Sequence, residues 1–391
     1  MVVGTHAATA PTNATEGGSR TEPTGRLGAV GARVVFEDLE KRYGDVAAVD
    51  GVSLDVAAGE FLTMLGPSGS GKTTSLMMLA GFEIPTAGEI YVDDRPIAAV
   101  PPYRRNIGMV FQNYALFPHM TVGENIAFPL KLRKVKKADI QRRTREVLEL
   151  VELPGYEARY PRQLSGGQQQ RIALARALVF DPRVLLMDEP LGALDKQLRE
   201  SLQLEIKRLH ERLGVTIVYV THDQQEALVM SDRIAVMNRG RVEQVGPPAE
   251  LYDAPQTRFV ASFIGESNFL DGRLAGIEGG VAQVEAPGVG VLRARLREGL
   301  ASGTDVAVTV RPEKIVFAEE GEGSDGLNHE RNELDATVED VVFVGEMHRY
   351  EVRLTGGQTL ILKRQNRAGV RRYERGDSAR VAWHVADTRL V

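Results

Sequence analysis

The 391-residue sequence contains no cysteine and a single tryptophan. Without thiols there can be no disulfides and no Cys-ligated zinc or iron–sulfur cluster; a reducing compartment is permitted but not proved. No stretch approaches 18 consecutive apolar residues, so no helix is expected to span a membrane, and any membrane role must come through a partner. The N-terminus has no charged segment leading into an apolar run, so no secretory signal is expected there. Positive charge is not in excess either. The net charge of −5 argues against a nucleic-acid partner held on a basic surface. What is present is ordinary globular composition, 43% hydrophobic and 26% charged, over a length that calls for two domains.

The strongest positive signal is Gly66-Pro67-Ser68-Gly69-Ser70-Gly71-Lys72-Thr73-Thr74. It follows the apolar run Phe61–Leu65 and leads into the helix-like Ser75–Ala80. A strand, a glycine loop and a helix with the spacing G-x-x-x-x-G-K-[ST] form a phosphate-binding loop. Glycines let the backbone turn successive N–H groups inward, and the new helix aims its positive end at the same point. Lys72 supplies a charge for the outer phosphates and Thr73 a hydroxyl for Mg²⁺.

Around this loop the chain reads in blocks. Residues 1–32 are rich in Ala, Thr, Gly and Pro and read as a disordered tail. Short strands are expected at 34–36, 46–49 and 52–56, with Asp50-Gly51 as a turn between the last two. Asn106–Gln112 is a strand ending in Gln112, followed by an apolar loop, Asn113–Val122, that either docks a partner or packs on its own domain. Residues 122–152 read as helical, with the run Arg133–Lys137 as a solvated face. Leu164-Ser165-Gly166-Gly167-Gln168 opens a further helix with Ser165 as N-cap, a second anion cradle. Val184–Met187 is a buried parallel strand ending in Asp188-Glu189, at the edge where open α/β sheets bind ligands. Neighbouring strand residues point opposite ways, so the two acids are expected to do different jobs. Thr216–Val220 is another such strand, ending in Thr221-His222-Asp223, and 234–245 reads as a hairpin through Arg239-Gly240. Beyond about Gly265, period-2 alternation dominates, as in Val306–Val310 and Tyr350–Leu354, with a hairpin turn at Gly356-Gly357 and an acidic loop from Glu319 to about Glu333.

The order of the phosphate loop, Gln112, Leu-Ser-Gly-Gly-Gln at 164–168, Asp188-Glu189 and His222 resembles that of the ATP-binding cassette (ABC) ATPases, over about residues 34–263. The resemblance implies an α/β phosphate-loop domain with a helical subdomain over 33–265. It also implies a small all-β, oligonucleotide-binding-like (TOBE-like) regulatory domain over 266–391, where Val308–Lys314 resembles one of that domain's motifs. By the same resemblance Tyr43 stacks on adenine, and Gly66, Pro67, Ser68, Gly69, Ser70, Gly71, Lys72, Thr73 and Thr74 hold the phosphates. Thr73, Gln112 and Asp188 serve Mg²⁺, Glu189 polarises the attacking water, and Gln112 and His222 complete the catalytic set. Leu164, Ser165, Gly166, Gly167 and Gln168 contact the ATP of a second copy, and Asp195 lies at the dimer contact.

Within the family, a translation-type protein carries two cassettes and a repair-type protein a long coiled coil, and neither pattern is present. The likeness is to importer ATPases, with Phe263–Leu270 and Leu153–Tyr156 most similar to those for spermidine and putrescine. Importers of iron(III), sugars or other small solutes, and a non-transport ABC ATPase, are the alternatives. The partners implied are a second copy or a paralogous ATPase, two transmembrane permease subunits and a solute-binding protein. The place implied is the cytoplasmic face of the inner membrane, held there by the permease. At Asp223-Gln224-Gln225-Glu226-Ala227 the family usually carries an acid in the third position, which puts local packing in question.

Overall fold

The computed structural model describes residues 30–192, 194–297, 299–318 and 331–391. Most of the expected tail lies outside the described residues, but its end is attached. The Gly31 N–H donates to the Gly214 carbonyl at 3.1 Å, Arg183 donates to the Val30 carbonyl at 2.9 Å, and Ala32 is fully buried.

Strands β1 (Val34–Tyr43) and β2 (Val46–Val56) form an antiparallel hairpin. Asp50-Gly51 does not break β2. Gly51 takes φ 68°, and the extra residue is absorbed as an irregularity in the pairing with β1. Next come β3 (Phe61–Leu65), α1 (Lys72–Ala80), β4 (Ala87–Val92), β5 (Arg95–Pro96) and β6 (Ile107–Val110). The helical part holds α2 (Val122–Leu132), α3 (Lys137–Leu150) and α4 (Gly166–Leu178). The single helical stretch expected over 122–152 is therefore two helices. Lys134 at φ 55° turns the chain, so the basic run forms the connection between helices instead of a helix face. After it come β7 (Val184–Asp188), α5 (Lys196–Leu213), β8 (Thr216–Thr221), α6 (Gln224–Met230), β9 (Arg233–Asn238), β10 (Arg241–Gly246), α7 (Pro248–Asp253) and α8 (Arg258–Phe263).

Among the described residues, the central sheet has the order β10-β9-β3-β8-β7-β6. All of its pairs are parallel except the edge pair β10–β9. All five residues of β3 are buried, as are those of β7 and β8, which is why these segments read as unbroken apolar runs. Burying each large side chain contributes about 1.5–3 kcal/mol. Because β3, β6, β7 and β8 run in one direction, the segments following them emerge on one edge of the sheet. Those segments carry Gly66, Gln112, Glu189 and His222.

The C-terminal part consists of β11 (Asn268–Glu278), β12 (Val281–Ala286), β13 (Gly290–Arg295), β14 (Asp305–Val310), β15 (Val316–Phe317), β16 (Arg331–Phe343), β17 (Met347–Leu354), β18 (Thr359–Gln365), β19 (Ser378–His384) and β20 (Arg389–Leu390). They form two antiparallel sheets, β13-β12-β11-β14-β20 and β15-β19-β16-β17-β18, around a core that includes Phe317, Tyr350 and Trp383. Residues 331–333, expected in the acidic loop, open β16, and 319–330 lie outside the described residues.

The two parts meet at Arg311. Its guanidinium donates to the carbonyls of Tyr252 (2.8 and 3.1 Å) and Ala261 (2.9 Å) and lies 4.2 Å from the Tyr252 ring centre. Burial and a 2.5 Å hydrogen bond to Glu313 push the Tyr252 hydroxyl pKa up to about 12. Nearby, Gly265 takes φ 78° and donates its N–H to Gln224 Oε1 at 2.9 Å; a side chain there would meet the Tyr252 ring at 2.9 Å.

Candidate active site

The phosphate loop is shaped by close approach as much as by turning. A Cβ on Gly66 would sit 2.2 Å from the Met237 carbonyl oxygen. Gly71, at φ 97°, would carry one 2.5 Å from the Ala48 oxygen. The β9–β10 turn braces the loop, with the Gly240 N–H donating to the Ser70 carbonyl at 3.1 Å. Gly71 caps α1 without any side-chain bond, which leaves the first helical N–H groups open to an anion. Thr74 lies in the first turn of that helix.

Lys72 folds back over the loop. Its ammonium donates to the carbonyls of Gly66 (2.7 Å) and Pro67 (2.9 Å), with Ser70 Oγ at 3.4 Å. Burial lowers its pKa, while the charges of Glu189 and Asp188 act the other way. Thr73 Oγ1 donates to Asp188 Oδ1 at 3.3 Å. The Asp188 carboxyl is pushed up, first by burial and also by Glu189, against the Thr73 hydrogen bond and the Lys72 charge.

Glu189 leaves β7 in the left-handed region, at φ 44°, with its N–H held by the Val220 carbonyl at 2.9 Å. Strand alternation therefore does not separate the two acids; a backbone reversal does. Glu189 lies between two partners: Gln112 Nε2 donates to Oε2 at 3.3 Å, and His222 Nδ1 lies 3.1 Å from Oε1. Residues 73, 112, 188, 189 and 222 thus meet at one sheet edge beside Lys72.

Other expected residues sit apart from this cluster. Tyr43 ends β1, about half-exposed, with the Lys41 ammonium 5.0 Å from its ring centre. Ser165 caps α4: its hydroxyl accepts from the Gln168 N–H at 3.3 Å, and Gln168 Oε1 accepts from the Ser165 N–H at 3.0 Å. Among the described residues, no hydrogen bond of 164–168 reaches 66–74. Asp195 caps α5 through the Leu198 N–H at 3.0 Å. Gln225 is exposed, so the unusual amide there has no packing consequence, and the buried neighbour Glu226 takes the Tyr219 and Thr221 hydroxyls, both at 2.7 Å.

The sequence did not point to several supports. A Cβ on Gly166 would sit 3.2 Å from Leu194 and one on Gly167 3.0 Å from Leu198, so a side chain at either position would press on the Leu194–Leu198 segment. Arg199 donates to the Leu194 carbonyl at 2.9 Å and to Asp223 at 3.2 Å, tying the Asp195 loop to the His222 segment. An Arg four residues into a helix capped by Asp195 was the visible sign. The loop Asn113–Val122 turns Tyr114 and Val122 inward, and exposed Phe82 lies with its ring 6.0 Å from that of Phe111 just ahead of the loop.

Comparison with known proteins identifies the family of the chain. The ABC transporter family profile matches residues 49–192 and the TOBE domain profile residues 308–391. The spermidine/putrescine import ATP-binding protein PotA of Rubrobacter xylanophilus is 50% identical, over 90% of this chain and 91% of its own. The PotA protein of Thermobifida fusca is 46% identical, over 96% of each. The chain belongs to the ABC import ATP-binding protein family. Solved ABC cassettes share the N-terminal fold of this import ATPase. One is a dimeric post-hydrolysis cassette bound to ADP and phosphate (36% identity, TM-score 0.50, 55% of this chain and 98% of that one). Another is cbiO1 of Clostridium perfringens, part of an ABC transporter complex (30%, TM-score 0.52, 56% and 89%). The chemistry of this import ATPase is ATP hydrolysis coupled to transport. Among its described residues no helix is long and apolar enough to cross a membrane.

Proposed function

We propose that this chain powers uptake of polyamines of the spermidine/putrescine class, working as a pair of copies beneath two membrane subunits at the cytoplasmic face of the membrane. The observation that carries the ATPase assignment is Glu189 held between Gln112 and His222, one residue from an Asp188 bonded to Thr73. The solute class is supported by the names of relatives that align over nearly the whole chain.

The open N–H groups of α1 receive the ATP phosphates, and Lys72 exchanges its loop carbonyls for phosphate oxygens. Thr73, Asp188 and Gln112 offer hydroxyl, carboxylate and amide oxygens, a hard donor set that fits Mg²⁺. When bound, that ion neutralises charge on the outer phosphates. Glu189 accepts a hydrogen bond from the attacking water, and His222 and Gln112 fix its carboxylate. Tyr43, exposed at the end of β1, offers a ring face to adenine.

The open first turn of α4 behind Ser165 closes over the nucleotide of the second copy, so each ATP is shared by two chains. In mixed dimers carrying one Ser165→Arg chain, ATP binding should persist while hydrolysis falls by about half or more, because one of the two composite sites loses its Ser165. Unchanged phosphate release from such dimers would overturn the shared site. Exposed Phe82, whose ring lies 6.0 Å from that of Phe111 just before Gln112, offers apolar surface for the membrane subunits.

Uptake of labelled spermidine, ferric iron and maltose, compared in cells with and without this protein, tests the assignment. Loss of spermidine uptake alone is expected. Loss of iron or maltose uptake with spermidine intact would reassign the solute and leave the ATPase in place.

A further inference from the structure

The loop that follows Gln112 is held in an unfavourable backbone state. Tyr114 and Ala115 are consecutive non-glycine residues with φ of 58° and 47°, in the left-handed region that L-residues rarely occupy in succession. Within the loop the Tyr114 N–H donates to the Phe111 carbonyl at 2.9 Å and the Ala115 N–H to that of Asn113 at 2.6 Å, and the side-chain contacts that hold the pair come from α4. Arg176 Nη2 donates to the Tyr114 carbonyl at 2.8 Å and Nη1 to the Ala115 carbonyl at 2.7 Å. The guanidinium also lies 5.6 Å from the Phe117 ring centre, and no carboxylate among the described residues pairs with it. The far end of the loop is held just as firmly. Fully buried Asn125 of α2 accepts from the Phe117 N–H at 2.8 Å and donates to the carbonyls of Phe117, Met120 and Thr121 at 3.0 to 3.2 Å.

Residues 114–121 are therefore fixed to α4 at their first end and to α2 at their second. The same α4 begins at Ser165, eleven residues or roughly 16 Å from Arg176. We propose that Arg176 is a positioning residue that locks the Gln112 loop to the helix of Ser165, so that a load on the loop displaces Ser165 as one body. The lock needs a planar fork. Two carbonyls on successive residues take two parallel N–H donors from one guanidinium, and an ammonium reaches one of them. The proposal rests on the importer reading for the origin of the load, but the lock itself is a property of this chain.

The test uses Arg176→Lys in the assembled complex of ATPase pair and membrane subunits, beside the detached ATPase. Basal hydrolysis and KM for ATP of the detached protein should stay within about twofold, while stimulation by the membrane subunits and solute uptake fall about tenfold. A substitution that merely weakened folding would lower basal and stimulated rates together, and that result would overturn the proposal. Because the chain has no native cysteine, a second measurement is direct. Spin labels on Ala115→Cys and Arg162→Cys report the loop-to-helix distance by pulsed electron resonance. One narrow distance, unchanged by ATP, is expected with Arg176, and a broadened one with Arg176→Lys. An equally narrow distance in both would overturn the lock. Absence of stimulation in the wild-type complex would count against the importer reading alone, since the distance measurement still decides the lock.

Discussion

Glu189→Gln should bind ATP as the unaltered chain does and lose about 10²- to 10⁴-fold in turnover. The amide has the same size, so the left-handed backbone at 189 and its bond to the Val220 carbonyl are preserved. It can still meet His222 and Gln112. It cannot accept a proton from water. It also removes a negative charge beside Lys72 and Asp188, which leaves phosphate binding unharmed or improved. Phosphate release under saturating ATP, alongside equilibrium binding of labelled ATP, reads the two effects separately. Near-normal hydrolysis would remove Glu189 from its role. Weak binding together with slow hydrolysis would place it in the nucleotide pocket instead.

Lys72→Ala should fail one step earlier. The ammonium is the cation nearest the loop, and its present partners are two carbonyls and a hydroxyl, all of which it can leave for phosphate oxygens. A hydrogen bond to a charged group contributes about 1.5–3 kcal/mol, and two lost contacts predict roughly a hundredfold or greater loss of ATP affinity. Turnover should fall with it, since the ammonium is lost from beside the outer phosphates, where charge develops during transfer. The fold should tolerate the change. Burial works against the Lys72 charge, with Glu189 and Asp188 acting the other way, and its hydrogen-bond partners in the loop are neutral. Calorimetric titration with ATP and a thermal melt distinguish lost binding from lost folding.

The parts of this site that the sequence revealed are those whose chemistry is confined to one short segment. Gly66 to Thr73 was legible because a phosphate cradle needs its glycines, lysine and hydroxyl at fixed spacing along one turn. Asp188 and His222 stood out because apolar runs end in them, and such runs are the mark of a parallel strand buried on both faces. Their meeting with Gln112 was legible only through the family resemblance, since strand order cannot be read from one sequence. Hidden altogether were close approaches between distant segments: the Met237 carbonyl against Gly66, Leu194 and Leu198 against Gly166 and Gly167, and Arg176 across to Tyr114. Local signals also misled in two places. Asp50-Gly51 has the composition of a turn but is absorbed into a strand, because pairing with β1 continues on both sides of it. The basic run Arg133–Lys137 has the composition of a helix face but connects two helices.

The position of β3 in its sheet bears on how the protein is made. Its two neighbours, β8 and β9, end at residues 221 and 238, long after β3 ends at residue 65. During synthesis the strand leading into the phosphate loop has no pairing partner until that later stretch leaves the ribosome. At about 5–20 residues per second, the interval is roughly 10–35 seconds. For that time the strand, apolar except for Thr63, can pack Leu62 and Met64 on the β1–β2 hairpin but has no strand to pair with. Contacts of such long sequence separation make the central sheet slow to close. The nucleotide site is therefore assembled among the last features of its domain, and a nascent chain halted before about residue 238 carries the whole phosphate-binding motif without the fold that makes it bind.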